Sequence, residues 1–186
     1  MLNGFDFSHW QRDNDIKAYL PHADFIIHKA SEGETYKDPT CIPRCNGMFK
    51  NIPTIIYHYV RADKCDPLKE AYNFMSVYEK IDIKPGLALD IEYSKKAGGT
   101  QGKDLAYVKK LVSMLSPNVS KRIIIYIPDI YPSDWYKWIR EEDLGLWIAR
   151  YRSKYPDHAC DFWQYTSKPV DQDYFYGSYS KLKTFI

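Results

Sequence analysis

Asp90 and Glu92 stand two residues apart at the end of "GLALDIEY" (86–93), after a run of small and aliphatic residues. Alternation along an extended strand puts both carboxylates on one face and Ile91 on the other, separated by roughly 6.5–7 Å of rise. That separation can bracket one scissile bond. Carboxylates crowded into a half-dry cleft ionise reluctantly, so desolvation and neighbouring charge hold at least one proton at neutral pH. A retained carboxylic proton is what a glycosidic leaving oxygen needs. The alternative is a solvated strand end where each acid meets a Lys or Arg, but the apolar residues before the pair argue for burial.

Other polar residues fall where runs of strand character end: Asp6, Lys29 and Glu32, His58 and Tyr59, Tyr126, and the pair Asp171 and Asp173. In a parallel barrel these ends share one mouth, so acids far apart in the chain converge there. Asp6, His58, Asp90 and Asp171 also compose a conceivable mixed metal shell. Only one His sits at a strand end, and there is no H-x-x-x-H or H-x-H pair, so neither a metal nor another cofactor is expected. The stretch "AGGTQGKD" (97–104) has Ala97 and Asp104 where a phosphate-binding loop needs Gly and Ser or Thr, and reads instead as a lid after the fourth strand. No Ser or Cys stands in a nucleophile elbow, and His58 in "YHY" is equally consistent with a packed or a catalytic imidazole. Cys41, Cys45, Cys65 and Cys160 lack a second short-spaced pair for zinc and read as reduced, structural thiols.

The elements that must position these groups follow from periodicity. Short apolar or β-branched runs bounded by turn residues occur at 4–8, 24–30, 54–60, 86–93, 122–128, 144–151, 160–166 and 170–175. "DPLKEAYNFMSVYEKI" opens with an Asp cap and Pro in the first turn, and "GKDLAYVKKLVSMLS" puts Leu105, Val108, Leu111, Val112 and Leu115 on one stripe. "PSDWYKWIREEDL" gives a shorter helix, and 11–20 and 39–50 each have room for a turn or two. Strands alternating with helices imply parallel pairing with covered faces. A complete eightfold barrel takes about 250 residues, and this chain has 186. The shortage falls at the end, where "RSKYPDHA" and "SKP" are too short for helical crossovers, so tight or hairpin-like turns are expected between the last strands. The expected fold is α/β, an irregular TIM-like barrel of eight strands and about five helices, with residues 1–186 as one domain.

With 26 basic and 24 acidic residues and no basic block, the chain does not read as a nucleic-acid binder. Aromatic residues make up 16%, including 17 Tyr and 5 Trp, which present the flat apolar faces and hydrogen-bonding edges that suit sugars as well as cores. No apolar run approaches the roughly 20 residues of a membrane span, and "MLNGFDFSHW" lacks the pattern of a secretory leader. If the target lies outside the membrane, something other than a leader must release the protein, or it is exported by a non-classical route.

"GFDFSHWQ", "DFIIHKASEGETYKD", "IIYHY", "LALDIE", "IIIYI", "LWIARY", "FWQYTS" and "VDQDYF" resemble, in order and over essentially the whole chain, the family 25 glycoside hydrolases, muramidases that cut bacterial peptidoglycan. The resemblance implies an irregular barrel of eight strands and five helices. It also implies hydrolysis of the β-1,4 bond between N-acetylmuramic acid and N-acetylglucosamine, with peptidoglycan as the partner, no membrane or nucleic acid, and a monomer. Carried over by motif, Glu92 is the general acid and Asp90 orients the N-acetyl group or the developing ring cation. Asp6 and Asp171 line the cleft, and the substrate's acetamido oxygen takes the place of a protein nucleophile. Tyr59, Tyr126 and Trp163 are the candidates for sugar contact. In "VDQDYF" two acids share parity, and motif alignment selects Asp171 over Asp173. Two departures stand out: "NIPTIIYHY" lacks glycines that usually precede the "YH" pair, and His28 replaces a common aliphatic residue. A chitinase-like endo-N-acetylglucosaminidase and a non-catalytic peptidoglycan-binding module are the alternatives.

Overall fold

A computed structural model describes residues 1–92, 104–151 and 154–186. Its strands are β1 (Leu2–Phe7), β2 (Phe25–Glu32), β3 (Tyr36–Lys37), β4 (Thr54–Tyr59), β5 (Gly86–Asp90), β6 (Ile124–Pro128), β7 (Gly145–Ala149), β8 (Phe162–Thr166) and β9 (Asp171–Phe175). All except β3 close into an eight-stranded barrel, in which β1 pairs with both β2 and β9. The strands run parallel from β1 through β8, and β9 lies antiparallel to β8 and β1. Strand β3 stays outside as a hairpin arm on β2.

The helices are α1 (Asp13–Lys17), α2 (Cys41–Asn46), α3 (Pro67–Tyr78), α4 (Leu105–Leu115), α5 (Ser133–Glu141) and α6 (Tyr179–Leu182). The Asp cap expected for α3 is present, with the Asp66 side chain accepting from Leu68 N, and Asp104 likewise caps α4 by accepting from Tyr107 N. Every run with strand character in the sequence is a strand. Strand β3 and helix α6 were not foreseen, since segments this short develop no periodicity. The suggested lid at 97–104 lies, apart from Asp104, outside the described residues.

Only one of the two final connections is a hairpin. β8 and β9 pair antiparallel as expected, but β7 and β8 are parallel, which corrects the expectation of a hairpin there. The physical reason is reach: a five-residue strand is roughly 17 Å long, and a dozen extended residues reach roughly 40 Å. The loop from Arg150 to Asp161 can thus return to the start of the next strand without a helix. Arg150 braces it, donating to Asp129 Oδ2 at 2.7 Å and to Asp157 Oδ2 at 2.9 Å.

Strand alternation sorts two cores. In β5, Leu87 and Leu89 face the helices with Phe74 of α3 and Val108, Leu111 and Leu115 of α4, while Ala88 faces the lumen with Phe25, Ile27, Ile55, Ile124, Trp147, Phe162 and Phe175. The carboxy-terminal segment seals the floor. The Phe185 ring lies 5.3 Å from Phe162 and 5.9 Å from Phe175. A Cβ on Gly86 would meet the Phe185 carbonyl oxygen, and one on Gly145 would meet the Phe185 ring at 2.6 Å, so these strand starts need glycine to let the plug approach. One end of the lumen is therefore apolar and closed, and its polar residues are confined to the other.

His28 faces outward and is buried, with Nδ1 2.7 Å from Lys29 O and Nε2 accepting from Arg44 at 3.1 Å. Arg44 also donates to Ser8 O (2.8 Å), Gln11 O (2.6 Å) and Asp13 (2.8 Å), so an imidazole in an aliphatic position serves to tie down the loop after β1. Burial, aided by the Arg44 charge, lowers the His28 pKa to about 4, which keeps it a neutral acceptor. The floor yields a stability prediction. Phe185→Ala should lower the unfolding free energy in urea by about 3–5 kcal/mol; a change under ~1 kcal/mol would mean that the plug does not hold the barrel.

Candidate active site

At the open end of the barrel, Asp6 comes from β1, Asp90 and Glu92 from the end of β5, and Asp171 from the start of β9. Because β9 runs against its neighbours, its first residue lies where theirs finish, and Asp171 is the direct cross-strand partner of Asp6. Asp90 sits between Tyr59 of β4 and Tyr126 of β6. The turn carrying Glu92 is pinned by backbone: Val60 N donates to Asp90 O at 3.0 Å, and Ile91 N to Tyr126 O at 3.0 Å. Tyr131 Oη adds a bond to Ile91 O at 3.0 Å, while the Ile91 side chain is buried against the helices. Asp6 and Asp90 are each 7% exposed, whereas Glu92 and Asp171 are partly open to solvent.

This arrangement makes ionisation costly. Burial, followed by the charges of Asp173, Asp171, Asp90 and Glu92, pushes the Asp6 carboxyl well above the ordinary range. Asp90 is raised by burial and then by Glu92, with Lys29 opposing. Glu92 is raised by burial against the pull of Lys29, with Asp171 and Glu32 adding to the rise, and Asp171 is raised by burial. The physical origin is common to all: a low-dielectric pocket disfavours charge, and each ionised neighbour disfavours the next. Glu32 behaves oppositely. Burial would raise it, but Lys29 at 2.7 Å and Arg61 at 2.9 Å hold it below its usual value. Lys29 shares the inward parity of Phe25 and Ile27 and brings positive charge to the mouth, and the irregularity of β2 between Lys29 and Ser31 turns Glu32 to the same side.

Below the acids lies a hydrogen-bonded layer. Gln164 of β8 accepts from Tyr126 Oη at 2.9 Å and Tyr151 Oη at 2.7 Å, and its Nε2 reaches Asp6 Oδ2 at 3.4 Å. Tyr126 packs edge-on against Trp147 at 4.4 Å, and Trp147 Nε1 donates to Asp173 Oδ1 at 2.8 Å. Asp173 is 0% exposed and its Oδ2 has no hydrogen-bond partner among the described residues. Burial raises its pKa well above the ordinary range, against the Trp147 bond and with Asp171 adding to the rise.

The residues expected from sequence therefore separate. Asp6, Asp90, Glu92 and Asp171 lie together and influence one another electrostatically. Tyr59 joins them at the rim, its ring 5.1 Å from Lys29 Nζ, while Tyr126 is 6% exposed and supports from within. Trp163, expected as a sugar contact, lies apart from them on the other face of β8. Phe162 and Gln164 take the inward parity of β8, so Trp163 points outward. There it packs near Tyr155 (5.9 Å) and Tyr174 (6.0 Å), and its Nε1 donates to Arg150 O at 2.9 Å. His58 is likewise a packing residue on the helix side, with Nδ1 2.8 Å from Ser31 Oγ and its ring 5.3 Å from Phe74. Asp171 occupies the mouth and Asp173 the buried layer beneath it. Gln164 and Tyr151 were not singled out from the sequence, and Lys29 was noted only as a polar residue at a strand end; the readable signal for Gln164 was its shared parity with Phe162 inside "FWQYT". Among the described residues no group of three or more His, Cys, Asp or Glu is arranged to hold a metal ion, and no helix is long and apolar enough to cross a membrane.

The model of the "Glycosyl hydrolases family 25" matches residues 5–174. Among solved structures, a muramidase from Acremonium alcalophilum is 27% identical, with 100% of this chain and 98% of that chain covered and a TM-score of 0.76. A family 25 glycosyl hydrolase from Bacillus anthracis shares the fold at TM-score 0.83 and 21% identity, covering 100% of this chain and 93% of that one. The catalytic domain of the endolysin ply40 from bacteriophage P40 of Listeria monocytogenes does so at TM-score 0.78 and 24% identity, covering 100% and 97%. A search of curated proteins found no match. With its acids gathered at the barrel mouth and the family model spanning nearly all of its length, the chain belongs to glycosyl hydrolase family 25.

Proposed function

We propose that this protein is a muramidase that hydrolyses the β-1,4 bond between N-acetylmuramic acid and N-acetylglucosamine of bacterial peptidoglycan, with Glu92 as the general acid. The observation that carries the assignment is the gradient of exposure within the acid cluster. Asp6 and Asp90 are buried, whereas Glu92 is partly open on the same face as Asp90 and still has a raised pKa. A general acid needs both access to the leaving oxygen and a proton at working pH. Family membership and the similarity to the Acremonium muramidase support the substrate class.

In the first step Glu92 gives its proton to the glycosidic oxygen as the C1–O bond breaks. The acetamido carbonyl oxygen of the same sugar bonds to C1, so no protein carboxylate needs to reach the anomeric carbon. Asp90, deeper on the same face, orients the acetamido group and answers the positive charge that develops on it. The Glu92 carboxylate then takes a proton from water as that water attacks C1, which restores both the acid and the acetamido group. Asp171 and Glu32 supply negative charge that opposes early loss of the Glu92 proton, and Asp6 lines the cleft beside them. Tyr59 is the rim contact for sugar, and Tyr126 a positioning residue acting through Gln164. The fold shared with a phage endolysin domain accords with a lysin of phage or prophage origin that meets the wall after release from the host cytoplasm.

Digestion of purified walls followed by mass spectrometry tests the reaction. New reducing ends should be N-acetylmuramic acid; N-acetylglucosamine ends would instead identify an endo-N-acetylglucosaminidase, and binding without release of reducing sugar a non-catalytic module. Glu92→Gln should fold normally and retain wall binding while kcat falls by about 10²–10⁴-fold, and near-wild-type turnover would remove Glu92 from the role. The buried acid adds a pH prediction. A carboxyl whose folded pKa is raised keeps its proton in the native state while the unfolded chain loses it, so stability declines as pH rises above the unfolded value of about 3.9. Asp173→Asn keeps an acceptor for Trp147 and cannot ionise. Its Tm should exceed that of the wild type at pH 7 and match it near pH 4; an equal offset at both pH values would show that Asp173 does not hold a proton.

A further inference from the structure

Trp10 follows β1 on the rim of the mouth and is 79% exposed, an unusual setting for an indole. Its surroundings are built rather than loose. The His9 ring backs it at a centroid distance of 4.5 Å, and His9 Nδ1 lies 3.1 Å from Asp38 Oδ2 and 3.0 Å from Tyr36 Oη. His9 N also donates to Asp38 Oδ2 at 2.8 Å. Tyr36, on the β3 arm, is held from behind by α3, since Asn73 Nδ2 donates to Gly33 O at 2.8 Å and Tyr36 O at 3.0 Å. Gly33, at φ 54°, makes the left-handed turn that folds this arm back. The rings connect to the acids through Lys29, whose Nζ lies 5.5 Å from the Tyr36 ring and 5.1 Å from the Tyr59 ring, and whose charge acts on Asp90 and Glu92.

We propose that Trp10, backed by His9 and flanked by Tyr36, is a binding ledge for a sugar of the glycan strand beyond the bond that is cleaved. The inference rests on the muramidase reading and extends it to a preference for long strands. A pyranose has an apolar face of C–H groups and an equatorial rim of hydroxyls, which an exposed indole beside a phenol oxygen and a His–Asp pair complements. A ledge held by its own hydrogen bonds loses little freedom when sugar binds. Its continuity with the cleft through Lys29 and Tyr59 favours a glycan already threaded past Glu92 over an unrelated partner.

Calorimetric titration tests the ledge, using the Glu92→Gln background and peptide-free glycan strands of two, four and six sugars. Adding Trp10→Ala should weaken binding of the six-sugar strand by about tenfold, as loss of an aromatic anchor does, and binding of the two-sugar fragment by less than about twofold. Trp10→Tyr should recover most of the loss, and Tyr72→Ala, on α3, serves as an exposed-aromatic control with no effect at any length. Unchanged six-sugar affinity, or an equal loss at every length, overturns the ledge. Wall digestion by the otherwise native enzyme separates the two readings. If walls are cut yet Trp10 has no length-dependent effect, the ledge alone fails; if no reducing ends form, the muramidase reading fails and takes the ledge with it.

Discussion

Burial of several carboxyl groups together at one end of the barrel, with their mutual repulsion added to it, is the constraint around which the molecule is organised. Asp6 and Asp171 are directly opposed across an antiparallel pair, a placement that disfavours like charges. Asp90 and Asp173 are buried nearby, each with one oxygen lacking a hydrogen-bond partner among the described residues. Such a cluster is tolerated only when the surrounding structure over-determines it. Here the barrel is closed by β1 pairing on both sides, and its floor is filled by Phe162, Phe175 and Phe185. Stability at the apolar end offsets the cost of burying acids at the polar end, and that burial raises the pKa of each of them.

The neutral groups around the acids explain how the cluster stays ordered. Gln164 collects the hydroxyls of Tyr126 and Tyr151 and passes an N–H towards Asp6, and Trp147 both packs on Tyr126 and donates to Asp173. These are dipoles fixed by packing, which need no reorganisation when charge develops in the cleft. Lys29 supplies the local positive charge, and its pairing with Glu32, itself held by Arg61, limits how far that charge can neutralise Asp90 and Glu92. The mouth therefore sets buried acids against the positive charge of Lys29, which Glu32 and Arg61 hold in place.

Much of this was legible in the chain. The alternation in "GLALDIEY" fixed that Asp90 and Glu92 share a face, because side chains on a strand repeat every two residues whatever the strand packs against. The apolar runs located all eight barrel strands, the Asp cap and helical spacing located α3, and the apolar stripe located α4, since these signals are local. Polar residues at strand ends pointed to one mouth because parallel strands all finish at the same end.

What the sequence could not decide were relations between strands. Parity says that Trp163 and Gln164 face opposite ways, but only the closed barrel says which way is inward, so Trp163 packs outside while Gln164 becomes the hub beneath the acids. Parity likewise leaves Asp171 and Asp173 equivalent; the antiparallel run of β9 sets the first at the mouth and the second a layer below. The irregularity in β2 brings Lys29 and Glu32 together despite their opposite parity. The parallel docking of β7 and β8 depended on loop reach rather than residue type. Residue order dictated each strand's own two faces; tertiary closure chose which face became the lumen, because that choice is made by burial summed over all eight strands at once.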